Sequence, residues 1–346
     1  MDFDLIIIGS GPGGYVAAIR GAQLGLKVAI VEKEALGGVC LNWGCIPTKS
    51  FLRSAEVLKI IKDSEKYGIK SKLGDIDISE VVKRSRSIAK KLSSGVEYLL
   101  KKNKVVIFDG EASFKTSKSI VITSKNNMIT EISGKNICIA SGGRPREISG
   151  VPNSSNVWFY KDALQVDRIP NKLLIVGSGA IGIEFASFFA QMGSEVSILE
   201  TKATILPNED LEVSNFVEKQ FLNRGIKVYK NHSLVALKQK GSSFEAQLKS
   251  ENKMLSLDFE KAILAVGIVG NIENLNLEKI DINCANGSIV VDDYCKTNVD
   301  NIYAIGDVAS PPWLAHKASH EGISVAEQAA GMNVHPIKKD RIPACT

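Results

Sequence analysis

The 346-residue sequence has no apolar run approaching the roughly 20 residues that a membrane-spanning helix needs, so no membrane span is expected. Its N-terminus, "MDFDLIIIGSG", has no basic region ahead of the apolar stretch and enters a strand pattern at once, which argues against a secretory signal. Of six cysteines only Cys40 and Cys45 stand close together, which is not the pattern of a secreted disulfide framework. There is no second cysteine pair with ligand spacing, and His232, His316, His320 and His335 are distant from the first, so no metal is expected. Concentrated positive charge is missing too: 43 Lys and Arg against 38 Asp and Glu leave a net charge of +5, spread along the chain. The densest basic stretch, "KRSRSIAKKLSSGVEYLLKKNK", runs with Val81, Ile88, Leu92, Val96 and Leu99 at helical spacing. That spacing predicts an amphipathic helix from about Ser79 to Lys102 with a solvated basic face, and no nucleic-acid partner. What remains is a cytoplasmic globular chain of ordinary composition, 44% hydrophobic and 23% charged, long enough for about two domains.

"GGVCLNWGCIPTKS", residues 37–50, poses the first chemical question. Two cysteines with four residues between them fit four readings: a structural staple, half a zinc site, apolar filler, or a redox pair. The pair by itself leaves all four open.

"LIIIGSGPGG" reads as a buried strand running into Gly9, Gly11 and Gly14, and a second strand, "KVAIVE", ends on Glu32. Each residue type has a physical reason. Gly9 permits a tight turn, Gly11 lets a pyrophosphate approach the backbone, and Gly14 lets the next helix pack closely on the strand. The helix N-terminus offers free N–H groups and partial positive charge to the phosphates, and Glu32 is placed to accept from a ribose diol. A lone glycine triplet is weak evidence, but this one recurs. "LLIVGSGAIGIEFASFFAQMGSEVSILE" repeats it with Gly177, Gly179, Gly182 and Glu200 at a constant offset of 168 (177 − 9 and 200 − 32), and eleven of the 24 positions from 9 to 32 match their offset partners. Two dinucleotides on one chain imply a flavoprotein passing electrons between FAD and a nicotinamide. Glu200, which would bind a free 2′-hydroxyl and repel a 2′-phosphate, favours NAD over NADP, with Lys202 a small counterweight.

On these residues the sequence resembles the pyridine nucleotide–disulfide oxidoreductases over essentially its whole length. "GGVCLNWGCIPTK" is similar to the redox segment of the dihydrolipoamide dehydrogenases within that family. "TNVDNIYAIGDV" resembles a second FAD motif, in which Asp307 would reach the ribityl chain. "LAHKASHEG" resembles a segment whose helix N-terminus, at Ala315 and His316, would face the flavin's pyrimidine edge and stabilise its reduced, negative form. "ICIASGGRP", with Gly142, and "AILAVGIVGN", with Gly267, look like the crossovers between the FAD and NAD domains. Many relatives carry an arginine after the glycine of the second crossover, where Ile268 stands here. The resemblance also pairs Lys49 with Glu184 near the flavin's reactive edge, an exposed helix position being the alternative for Glu184.

The resemblance implies an α/β fold of two Rossmann-like three-layer domains, the second inserted in the first: an FAD domain over 1–147 and 270–346 and an NAD domain over 148–269. It implies a Cys40–Cys45 disulfide, with Cys40 exchanging with a dithiol and Cys45 facing the flavin. Five positions along a regular helix hold Cα atoms roughly 8–9 Å apart, whereas a disulfide tolerates less than about 7 Å. The helix is therefore expected to break between the cysteines, where Gly44 permits it, with Pro47 just beyond. Cys138, Cys284, Cys295 and Cys345 are expected to be filler. The implied activity is oxidation of protein-bound dihydrolipoamide by NAD+ in 2-oxo acid dehydrogenase complexes, with lipoyl domains and a second copy of the chain as partners. Glutathione or mercuric reduction, and a flavin binder without turnover, are the alternatives. In the family a His-Glu base lies on a C-terminal dimerisation domain. The sequence reaches "DRIPACT" before any such pair, and the early His335-Pro336 has no Glu a few residues on. The expectation is a fragment that is poor in dihydrolipoamide turnover but able to oxidise NADH if FAD is bound.

Overall fold

The computed structural model describes residues 1–346 apart from Asn153, Ser242 and Asn252. The chain divides into two compact units, Met1–Asn42, Ala89–Arg144 and Ile268–Pro343 in one, and Trp43–Ile88, Pro145–Gly267 and Ala344–Thr346 in the other. Both are α/β.

In the first unit the strands Val106–Asp109, Val28–Glu32, Phe3–Ile8, Ile129–Ile139 and Ile302–Ala304 lie side by side in parallel. The first two in sequence, Phe3–Ile8 and Val28–Glu32, are joined through the helix Pro12–Gln23, the crossover that parallel neighbours require. The sheet continues into an antiparallel meander, Glu111–Thr116 and Ser119–Thr123, paired with the first half of Ile129–Ile139. Alternation along Phe3–Ile8 sends Ile6 and Ile8 into one core with Phe114, Ile137 and Ile302. Leu5 and Ile7 turn toward the helix, where Gly21 and Gly14 leave room for them. A second helix, Ala315–Ala329, crosses Pro12–Gln23 at very short range. A Cβ on Gly322 would stand 2.4 Å from the Gly13 carbonyl oxygen, and Arg20 and Glu327 pair at 2.7 Å.

In the second unit five parallel strands run in the order Lys227–Tyr229, Glu195–Leu199, Lys172–Val176, Lys261–Leu264, Val157–Trp158. Leu173 and Ile175 face a core with Phe185, Phe188 and Phe189 of the helix Ala180–Met192. Leu174 and Val176 face the other way, onto Phe244, Leu248 and Phe259 of an antiparallel three-stranded sheet, Ser233–Lys240, Ser243–Lys249 and Met254–Phe259. This is a three-layer arrangement of helices, parallel sheet and antiparallel sheet.

Two features differ from the sequence reading. Residues 43–88 group with the second unit, because Phe51, Ala55 and Leu58 of the helix Cys45–Asp63 lie in the phenylalanine core, with Phe51 and Phe188 ring centroids 4.6 Å apart. The helix Ile78–Lys102 buries Ser85, Ala89, Val96 and Leu100, whereas Leu92 and Leu99 are exposed. Small residues on the buried stripe shift it from the large apolar positions that periodicity picks out. No helix among the described residues is long and apolar enough to cross a membrane.

Gly322→Ala should cost about 1–3 kcal/mol, because the added methyl meets backbone that cannot rotate aside. Urea unfolding monitored on the first unit measures it, and an unchanged midpoint would mean that the two helices separate freely.

Candidate functional site

The two strand–turn–helix units are superimposable in their local constraints. Gly9 and Gly177 hold φ of +101° and +99°, and a Cβ on them would lie 2.2 Å from the Ala140 oxygen and 2.4 Å from the Ala265 oxygen. A Cβ on Gly14 or Gly182 would lie 2.0 Å from the oxygen of Gly9 or Gly177. The first and third glycines are thus required by the chain's own packing. The middle ones are not: a Cβ on Gly11 or Gly179 would have nothing within 4 Å. Their bareness keeps a space open in front of a helix start. Each is the N-cap of its helix, with no side-chain cap and no acidic residue in the first turn, so the first N–H groups are available to an anion.

Both strand-end acids are held alike. The Ser10 N–H and Oγ donate to Glu32 Oε2 at 2.9 and 2.5 Å, and the N–H groups of Lys33 and Glu34 donate to Oε1 at 2.9 and 2.8 Å. In the second unit the Ser178 N–H and Oγ donate to Glu200 Oε2 at 3.0 and 2.6 Å, and the Lys202 N–H donates to Oε1 at 2.8 Å. Burial pushes the Glu200 carboxyl up, but the bonds from Ser178, Lys202 and Thr201 outweigh it and hold the group below the ordinary glutamate value. Sequence reading passed over Ser10 and Ser178, although both fall inside the repeated Gly-Ser-Gly.

Cys40 and Cys45 form the disulfide, the other four cysteines being free. The helix breaks between them as the geometry requires: Gly38–Trp43 ends, Gly44 caps, and Cys45–Asp63 begins. Pro47 falls in the first turn, where no intrahelical N–H bond is lost, and the ladder starts with Thr48 N–H to Gly44 C=O at 3.0 Å. Cys45 is therefore the first residue of a helix, where the dipole favours a thiolate. Cys138 and Cys295 are buried, and burial pushes both thiols up, away from reactivity.

Lys49, one turn after Cys45, pairs with Glu184 at 2.6 Å. Glu184 is buried, not the exposed helix residue that the sequence alone left open. Gly142 (φ +73°) accepts the Asn271 N–H at 2.9 Å, and Gly267 (φ +102°) accepts the Arg146 N–H at 3.0 Å. Ile268 opens the short strand Ile268–Gly270. Asp307 lies in the turn Gly306–Val308, part-buried, and burial raises its carboxyl above the ordinary value while Lys317 opposes the rise. Ala315 and His316 begin the helix Ala315–Ala329, and the His316 ring donates through Nε2 to the Pro343 carbonyl at 2.9 Å. Sequence reading also missed Lys317 and Glu321, a buried ion pair at 2.8 Å.

Residues 3–322 match the pyridine nucleotide-disulphide oxidoreductases, and the chain belongs to that family. Within it, the chain is 47% identical over 347 residues to a dihydrolipoyl dehydrogenase of Zymomonas mobilis, covering 99% of this chain and 74% of the relative. It is 46% identical over 363 residues to a dihydrolipoyl dehydrogenase of Rhizobium etli, covering 99% and 75%. In three dimensions it is similar to LpdA from Mycobacterium tuberculosis, with a TM-score of 0.90 over 96% of this chain and 74% of that one; at 24% identity this speaks to fold alone. It is also similar to the flavoprotein disulfide reductase RclA from Escherichia coli, with a TM-score of 0.82 and 26% identity over 95% and 71%.

The lowered Glu200 value gives a pH prediction. Its contribution to the fold is fully present above the ordinary glutamate range, about 4.3, and is lost as pH falls through the lowered folded value. Glu200→Gln should therefore flatten the acid side of a stability-against-pH curve. Superimposed acid limbs for the two proteins would contradict this.

Proposed function

We propose that this protein is a flavoprotein disulfide oxidoreductase of the dihydrolipoyl dehydrogenase type, oxidising protein-bound dihydrolipoamide with NAD+. The observation that carries the reading is a disulfide straddling a helix start in a chain that also holds two nucleotide cradles, each kept open by its middle glycine. FAD would lie on Gly9, Gly11 and Gly14, with Glu32 on its ribose, Asp307 on its ribityl chain, and Lys49, Gly142, Ala315 and His316 toward the flavin. NAD would lie on Gly177, Gly179 and Gly182, with Glu184, Glu200 and Gly267. The tethered Glu200 carboxylate selects a free 2′-hydroxyl over a phosphate. The first unit is thus the FAD domain and the second the NAD domain. Lipoyl domains and a second copy of the chain are the partners that go with this reading.

Bound FAD would take two electrons from the thiol side and yield them to NAD+. The chain's own part is thiol–disulfide exchange. One substrate thiolate attacks Cys40 Sγ, the Cys40–Cys45 bond breaks, and Cys45 leaves as a thiolate at the helix N-terminus. The second substrate thiolate then displaces Cys40 Sγ and closes the lipoamide disulfide. In balance, the two substrate thiols give up two electrons and two protons. The protein disulfide takes both electrons, one proton ends on Cys40 as a thiol, and the other is released to solvent, which leaves Cys45 as the thiolate.

Anaerobic titration of the FAD-loaded protein with NADH should raise a long-wavelength thiolate–flavin band. Cys40→Ser should show that band before any reductant is added, because Cys45 is left as a free thiolate, and Cys45→Ser should never show it. The reverse pattern would exchange the two roles. Gly11→Val should keep the secondary structure and melting temperature, since its Cβ enters open space, yet lower FAD affinity by at least about tenfold. Full flavin occupancy in that variant would remove the first cradle from the FAD site.

A further inference from the structure

The helix Ala315–Ala329 carries two charges away from water. Lys317 and Glu321, one turn apart, have side chains only 1% and 4% exposed and pair through Nζ and Oε1 at 2.8 Å. A buried ion pair is a poor source of stability, because losing hydration offsets the attraction between the charges. Each partner makes one further bond, and both bonds go to the same turn. Glu321 Oε2 accepts the Gly306 N–H at 2.8 Å, and Lys317 Nζ donates to the Ser310 carbonyl at 3.0 Å. Those two residues bracket Asp307. Other bonds also reach this stretch: Ala309 N–H to Gly306 C=O at 3.1 Å, Trp313 Nε1 to the Ala309 carbonyl at 3.2 Å, Lys339 Nζ to Ser310 Oγ at 3.0 Å and Ile305 N–H to Ile139 C=O at 2.9 Å. None of these engages the Gly306 N–H or the Ser310 carbonyl. Gly306 itself sits at φ +71°, so the backbone at this point is free to take other shapes unless something holds it.

We propose that Lys317 and Glu321 form a positioning clamp that sets both ends of the Gly306–Ser310 turn and so presents the Asp307 carboxyl to a polyhydroxyl ligand; given the function proposed above, that ligand is the flavin's ribityl chain. Neither residue touches the ligand. Glu321 supplies the acceptor for the amide before Asp307, Lys317 the donor for the carbonyl after it, and their mutual attraction keeps the two anchors in register.

The test separates positioning from mere packing. Lys317→Met/Glu321→Leu removes both charges together, so neither is stranded, and the apoprotein should melt at or near the wild-type temperature. Titrated with FAD, it should bind about tenfold or more weaker than wild type, and hydrogen exchange at the Gly306 amide should be about tenfold or more faster. Wild-type affinity together with wild-type exchange would overturn the clamp. Should the double variant not fold, single variants decide. Glu321→Gln keeps an oxygen acceptor for Gly306 and should keep most of the amide protection, whereas Glu321→Leu should lose it; equal protection in the two would overturn the proposal. A wild-type protein that takes up no FAD would defeat the flavin reading, and the Gly306 exchange rates would still decide the clamp.

Discussion

The carbonyl of Gly9 stands where a Cβ on residue 14 would have to be, 2.0 Å away, and the same contact recurs between Gly177 and Gly182. This single steric condition lets a helix begin directly off the end of a parallel strand. From it follows the direction in which the first-turn N–H groups point, the open space at Gly11 and Gly179, and the placing of the next strand's terminal acid within reach of Ser10 or Ser178. The serine–glutamate bonds then close the loop from the opposite side, so that the turn is held by sterics on one flank and charge-assisted hydrogen bonds on the other.

Where the repeats agree, they agree for backbone reasons; where they part, the difference is chemical. Val16 and Glu184 occupy equivalent positions, 168 apart, one apolar and the other a buried carboxylate paired with Lys49. Pro12 starts one helix and Ala180 the other. Lys49 remains half exposed, so its pair with Glu184 adds little to stability, about 1 kcal/mol or less. What the pair does is hold a charged side chain one turn from Cys45. Lys317 and Glu321 serve a comparable end elsewhere, directing buried charge at backbone. In both places ionic groups set geometry more than they hold the fold together.

Much of the candidate site was legible in the residues. The glycine triplets, the terminal acids and the break at Gly44 obey rules that act within a few turns of chain, so spacing alone carries them. The family likeness, and with it Asp307 and the Lys49–Glu184 pairing, was legible because long motifs persist. Other features were hidden. The i,i+4 spacing of Lys317 and Glu321 looks like an ordinary solvated pair, and only the neighbouring turn makes it a buried one. The stripe through Ser85, Ala89, Val96 and Leu100 mixes small and polar residues that periodicity does not favour.

The sequence by itself determined the duplicated strand–glycine–helix units, the acids that end their second strands and the need for a helix break between Cys40 and Cys45, because these rest on local sterics and on the reach of a disulfide. Tertiary structure alone decided that residues 43–88 join the second unit, that Glu184 is buried, and that Glu321 caps Gly306. Each of those depends on which surfaces meet across more than a dozen residues of chain, and burial is a property of that meeting, not of the residue.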